Sequence, residues 1–312
     1  MNRRPFGNDR VSVSEIGLGC WQLGGGDWGD VPEADALAVL RAAADTGVTF
    51  LDTADVYGRG RSEELIGKFL KDAGRDRFFV ATKLGRFPEP GWPGNFAPAA
   101  IRAHTEASLK RLGVECLDLT QLHCVPFDVL TRDETWETLR ALVREGKIKR
   151  FGASVESVAE AKECIRQADC ASLQLIVNVF RQSPVSELFD RCEREGVAVI
   201  VRLPLASGLL AGRYTRGTTF PPQDHRTYNR DGAAFNVGET FAGLPFETGV
   251  GLVEELRALV PPGDTMAEFA LRWCLDHPAV TTVIPGARSP EQARANAAAA
   301  SKPPLPKELH AT

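Results

Sequence analysis

Short, almost wholly apolar runs alternate along this chain with longer stretches in which apolar residues recur every three or four positions. Phe78-Phe79-Val80-Ala81-Thr82 and Val197-Ala198-Val199-Ile200-Val201 have the composition of strands covered on both faces. Between Glu33 and Gly47, the positions Ala34, Leu37, Ala38, Leu40, Arg41 and Ala44 fall at helical spacing before a glycine stop. Carried through the chain, the pattern predicts strands beginning near 16, 49, 78, 116, 148, 172, 197 and 280. It places helices over 33–47, 61–73, 97–113, 132–146, 156–168, 184–196, 264–277 and 290–300. Regular alternation implies right-handed βαβ units and a parallel sheet. Eight such strands are the number that closes a (β/α)8 barrel, so the expected fold class is α/β, one barrel domain over residues 1–312.

One interval breaks the rhythm. Residues 213–248 are dense in glycine and proline and carry Phe220, Tyr228, Phe235, Phe241 and Phe246. Linkers do not hold that many aromatics, so a lid or substrate loop after the seventh strand is expected. Residues 301–312 are proline-rich and are expected to fray.

Composition narrows the function. The 37 Lys and Arg against 41 Asp and Glu leave a formal charge of −4, with the cations dispersed, so neither nucleic acid nor an anionic membrane is an expected partner. The seven cysteines are odd in number and never spaced as Cys-x-x-Cys, which reads as reduced core residues and no zinc site. Residues 1–9 lack an apolar leader and no long apolar segment follows, so a cytoplasmic protein acting on a small molecule is expected. Oligomeric state is not legible.

Chemistry gathers at the predicted strand ends. Phe50-Leu51-Asp52 runs into a turn bearing Tyr57 and Gly58, Ala81-Thr82 ends in Lys83, and Leu119-Thr120-Gln121-Leu122 ends in His123. Barrel chemistry sits at those carboxyl ends. An unperturbed phenol is a weak acid at neutral pH, and Lys83 held by Asp52 is the expected cation that lowers the Tyr57 pKa. Singly, Asp52 reads as a turn former, Lys83 as a salt-bridge partner and His123 as a loop ligand; their joint placement favours proton transfer to an oxygen. Trp21 reads as pocket wall before core aromatic, Trp92 as wall or loop pin, Trp28 as either, and Trp136 and Trp273 as core. His104, His225, His277 and His310 carry no partner pattern and read as surface or packing residues.

The Asp52-Thr53-Ala54-Asp55-Val56-Tyr57-Gly58 string and the Ala81-Thr82-Lys83 strand resemble those of the aldo-keto reductase family, and the likeness runs over nearly the whole chain. The resemblance implies an NADPH-dependent barrel that reduces aldehydes and ketones, with Asp52, Tyr57, Lys83 and His123 as its catalytic tetrad. It implies nicotinamide contacts from Trp21, Asp52, Ser154 and Gln174, and a pyrophosphate loop at Pro204, Leu205, Ser207, Gly208 and Leu210, where Ser207 reads equally as a helix cap. Gly286, Arg288, Gln292 and Asn296 resemble an adenosine clamp, Arg288 gripping the 2′-phosphate of NADP. Arg202 stands where family members often carry an aromatic against the nicotinamide, and reads as facing either that ring or the substrate. Val155 replaces a common asparagine. Aromatic loops suggest an apolar or sugar-like carbonyl substrate, whereas Arg202 admits an anionic one. Two further readings remain open: an NADPH-binding regulatory subunit with weak reductase activity, and an aldolase forming a Schiff base on Lys83.

Overall fold

The computed structural model describes the chain apart from Arg10, Asp27, Trp28, Asp30, Phe235, Ala311 and Thr312. Trp28 and the lid aromatic Phe235 therefore lie outside the described residues. Ten strands are described: β1 (Arg3–Pro5), β2 (Ser12–Ser14), β3 (Leu18–Gly19), β4 (Phe50–Asp52), β5 (Phe79–Leu84), β6 (Leu119–His123), β7 (Phe151–Ser154), β8 (Cys170–Ile176), β9 (Ala198–Arg202) and β10 (Val280–Val283). The helices are α1 (Glu33–Asp45), α2 (Arg61–Ala73), α3 (Pro98–Leu112), α4 (Phe127–Leu130), α5 (Asp133–Arg144), α6 (Val158–Ile165), α7 (Ser183–Glu195), α8 (His225–Tyr228), α9 (Phe246–Leu256), α10 (Met266–Leu275) and α11 (Pro290–Ala298).

Strands β3 to β10 form one parallel sheet in chain order. Its two edges meet: Ile16 bridges Val283, Gly19 bridges Gly286, and the Gly17 N–H donates to the Val283 carbonyl at 2.8 Å. The sheet is thus a closed (β/α)8 barrel, as the alternation predicts. Helix ends follow local chemistry. Ser157 with Glu160 and Thr265 with Glu268 form capping boxes at the starts of α6 and α10, while Gly113 and Gly196 end α3 and α7 in left-handed conformation. None of the described helices is long and apolar enough to cross a membrane.

Inside the barrel the strands change character along their length. Phe50, Phe79, Leu119 and Ala198, each the first residue of its strand, pack with Ile200 and Ile284 into one apolar cluster. Beyond them the same inward register carries Asp52, Lys83, Gln121, Gln174 and Arg202.

Three elements depart from expectation. The first residues form an antiparallel hairpin, β1 with β2, whose Phe6 and Val13 close the barrel floor, Phe6 lying 4.7 Å from the Phe79 ring. A helix, α9, follows the long loop and buries Phe246, Gly249, Val250 and Val253; two glycines in its interior hide its periodicity. The tail, expected to fray from 301, is instead docked as far as His310. Lys302 pairs with Asp264 at 2.7 Å, the Leu305 N–H donates to Asp276 at 2.8 Å, and His310 lies 3.2 Å from the same carboxylate.

Candidate active site

Tyr57 is delivered by a loop that has almost no slack. Gly58 has φ +59°, and a Cβ there would stand 2.1 Å from the Gly24 carbonyl oxygen, so the two loops meet backbone to backbone. From below, the Asp55 N–H donates to the Lys83 carbonyl at 3.0 Å, and Thr53 donates to Ser62, which donates onward to the Cys20 carbonyl. The phenol ring is sandwiched: Trp21 stacks on it at 5.9 Å and His123 meets it edge-on at 5.9 Å.

The four strand-end residues converge. Lys83, 1 % exposed, donates to Asp52 Oδ1 at 2.5 Å, to the Thr53 carbonyl at 2.8 Å and to the Tyr57 hydroxyl at 3.3 Å. Gln174 donates to the other Asp52 oxygen at 2.7 Å, so its amide nitrogen is committed to the tetrad.

Burial pushes the Tyr57 hydroxyl above the ordinary phenol value. Lys83 pulls downward and Asp52 upward, but burial is the largest influence, so the expectation that Lys83 would leave a lowered phenol is corrected. Burial also acts against the Lys83 charge, yet Asp52 and Tyr57 together raise its pKa, keeping the ammonium protonated. His123 is held well below its usual value by burial first, then by Arg86, Lys83 and Arg202. It is a neutral imidazole at neutral pH, and its buried Nδ1 has no hydrogen-bond partner among the described residues.

A cleft of about 1020 Å³ opens over these groups and runs to the start of α11. Trp21, Asp52, Gln174, Arg202, Pro204, Leu205, Ser207, Gly208, Gly286, Arg288, Gln292 and Asn296 all line it. Two residues expected as cofactor contacts do not. Leu210 is fully buried in the hydrophobic core, and Ser154 is buried outside the lining with its Oγ unpartnered among the described residues. Ser207 lines the cleft, but its hydroxyl is spent on the Glu239 carbonyl at 2.9 Å, and it caps no helix. The chain around it bends through positive φ at Leu203, Ala206, Ser207 and Gly208. At the far end, the Gln292 side chain accepts from the Arg288 N–H at 2.8 Å and Asn296 donates to the Gly286 carbonyl at 3.1 Å. The Arg288 side chain stays exposed.

This geometry agrees with what comparison of the whole chain finds. Residues 15–312 match the model of the aldo/keto reductase family. The chain belongs to that family. Its fold superimposes on the holo form of the aldo-keto reductase AKR11C1 from Bacillus halodurans with a TM-score of 0.80 and 31% identity, covering 100% of this chain and 94% of that one. An aldo-keto reductase from Klebsiella pneumoniae solved in complex with NADPH gives a TM-score of 0.73 and 27% identity, covering 100% and 94%. Among curated proteins, the NADH-specific methylglyoxal reductase of Escherichia coli is 29% identical over 96% of this chain and 93% of its own.

The buried carboxylate at the mouth of this aldo-keto reductase was not foreseen. Glu239, from the long loop, is buried beside the tetrad, and one of its oxygens, Oε1, lies 3.3 Å from both Arg86 Nη1 and Arg202 Nη1. Arg202 is thus paired with a carboxylate of its own chain. Arg86 and Glu239 are 153 residues apart, and neither stands in a pattern that would announce the other. Of the loop's aromatics, Phe220, Phe241, Phe246 and Tyr214 pack on one another at 4.9–6.5 Å, forming the loop's own core, and Tyr214 also borders the cleft. Trp92, 58% exposed, pins its loop by donating to the Cys124 carbonyl at 3.4 Å. Trp136 and Trp273 are core residues, as expected. His104 is neither surface nor simple packing, since it joins Asp55 at 3.3 Å to Asn95 at 3.0 Å.

Proposed function

We propose that this chain is an NADPH-dependent oxidoreductase that reduces an aldehyde or ketone, or oxidises the corresponding alcohol, with Tyr57 as general acid and base. The observation that carries the reading is the meeting of Tyr57, Lys83 and His123 at one end of a cleft whose other end holds Arg288. The residues present fit a nicotinamide dinucleotide. Gln174 borders the tetrad end of the cleft, the turns from Leu203 to Gly208 border its middle, and Arg288 with Gln292 would meet the adenosine end. When bound, the cofactor supplies or accepts hydride at the carbonyl carbon. An NADPH-bound neighbour and an NADH-specific relative leave both cofactors within the family's range, and an exposed arginine at the adenosine end favours the 2′-phosphate.

The protein's part is proton management. Its raised pKa keeps Tyr57 protonated at rest, ready to give a proton to an oxygen gaining negative charge. Lys83, fixed as a cation by Asp52, stabilises the phenolate left behind. Neutral His123 orients the substrate oxygen by hydrogen bonding and is no proton reservoir. The same salt bridge argues against a Schiff-base aldolase, because a paired ammonium has no lone pair to attack a carbonyl. We read residues 213–248 as a lid, so saturating NADPH should slow amide exchange there; unchanged protection would recast the segment as a static excursion.

The test is Tyr57→Phe. It keeps the ring between Trp21 and His123, so NADPH binding by fluorescence titration should survive while turnover falls by roughly 10²–10⁴-fold. Near-parental reduction of the best substrate would overturn the mechanism. Substrate trapped on Lys83 by borohydride would replace it with the aldolase.

A further inference from the structure

We propose that Arg86 and Arg202 form a carboxylate-binding subsite, so that the preferred substrates are short carbonyl compounds carrying a carboxylate, with the chain's own Glu239 occupying the subsite until substrate displaces it. The inference rests on the reductase reading and names its substrate class.

Two guanidinium groups converge on one carboxylate oxygen, Glu239 Oε1, each at 3.3 Å, inside the cleft that holds Tyr57 and His123. Arginine forks are built for planar carboxylates. The arrangement is incompletely satisfied: Arg202 Nε is buried without a hydrogen-bond partner among the described residues, in the same cleft as the unpartnered His123 Nδ1. The two arginines sit on framework, Arg202 as the last residue of β9 and Arg86 two residues beyond β5. Glu239 sits on the Val237–Glu239 turn of the long loop, held at its carbonyl by Ser207. A fixed pair of cations facing a carboxylate on a loop is the arrangement expected of a subsite whose internal occupant can be exchanged.

Charge balance supports an anion over a neutral group. Glu156 faces the same cluster, where burial first and then Glu239 raise its pKa. Arg181, donating to the Glu156 carbonyl at 2.7 Å, adds a further cation at the rim. Cys124 also borders the cluster, but burial pushes its thiol up to about 12 and it stays neutral. The three groups Cys124, Glu156 and Glu239 would satisfy a metal's spacing, but cations on the same carboxylate disfavour one.

The experiment uses matched substrates at saturating NADPH and pH 7: succinic semialdehyde against butyraldehyde, and 4-carboxybenzaldehyde against methyl 4-formylbenzoate. The carboxylates should show at least about tenfold higher kcat/KM. Arg86→Gln should erase that advantage through KM, and Arg86→Lys should restore part of it. Glu239→Gln should lower KM for the carboxylates. Calorimetric titration of the NADP-loaded protein with unreactive succinate gives a readout without turnover, expected to weaken about tenfold in Arg86→Gln. Equal kcat/KM within both pairs, or a preference that survives Arg86→Gln, overturns the subsite. Arg86-dependent succinate binding with no carbonyl reduced would retain the subsite and overturn the reductase reading.

Discussion

The lower and upper halves of the barrel interior are made by the same strands and share almost nothing else. On β5, Phe79 lies in the apolar floor, and Lys83, four residues on and pointing inward too, is an ammonium held by Asp52. On β9, Ile200 belongs to the floor and Arg202 to the mouth. The period of two keeps both residues of each pair inside, while the strand's rise carries the second one ~7–13 Å towards the open end. The floor is held by ring contacts at 4.7–6.3 Å among Phe6, Phe50 and Phe79. The mouth is held by charges that cost solvation and are kept because each has a partner. One half supplies stability that the other half consumes as strict geometry.

Substitutions can break or sharpen this division. Lys83→Met should do most damage, lowering turnover by roughly 10²–10⁴-fold and costing ~3–5 kcal/mol of stability, because Asp52 is left buried without its cation. Combined with Tyr57→Phe the rate losses should be far from additive, since both disable one proton donor; multiplicative losses in steady-state kinetics would separate their roles. Phe79→Ala should cost ~3–5 kcal/mol in urea denaturation yet leave kcat of the folded protein near parental. A large fall in kcat would mean that floor and mouth are mechanically joined. Arg288→Ala should weaken NADPH by ~1.5–3 kcal/mol in fluorescence titration and NADH much less, with equal parental affinity for the two removing the assignment.

The smallest effect concerns Asp55, buried behind the mouth. Burial, then Glu63, raises its pKa to about 7, against the pull of Arg111 and Lys83. A carboxyl with a raised folded pKa contributes stability that is present below the unfolded value and lost as pH rises through about 7. Asp55→Asn should therefore gain on the parent in Tm, by a few degrees, on moving from pH 5 to pH 8. A gap that shrinks over that range would show the His104 contact acting as an ion pair instead.

The barrel and the meeting of Asp52, Tyr57, Lys83 and His123 were legible because they depend on short-range signals: apolar runs bounded by glycine, and residues whose position follows from the strand they end or follow. Helix α2 emerges with the bounds that spacing predicts, 61–73. What escaped depends on contacts between distant segments. The hairpin's role as barrel floor is invisible in Phe6 alone, and α9 is masked by Gly249 and Gly251. The tail's composition suggested fraying, but composition says nothing of Asp276 waiting for Leu305 and His310. The direction of the Tyr57 shift was missed for a related reason: the neighbouring charge is local and readable, whereas burial is a sum over the whole mouth.

Closure of the barrel between β3 and β10 sets a timetable for biogenesis. Translation delivers the strand at 18–19 long before its sealing partner at 280–283. Throughout elongation β3 leaves an unpaired rim, and Arg4 lacks the carbonyls of Leu275, His277 and Val280 that later fix it. Until the residues that bridge Ile16 and Gly19 have emerged, the barrel cannot close, and an unpaired strand edge is a template for aggregation.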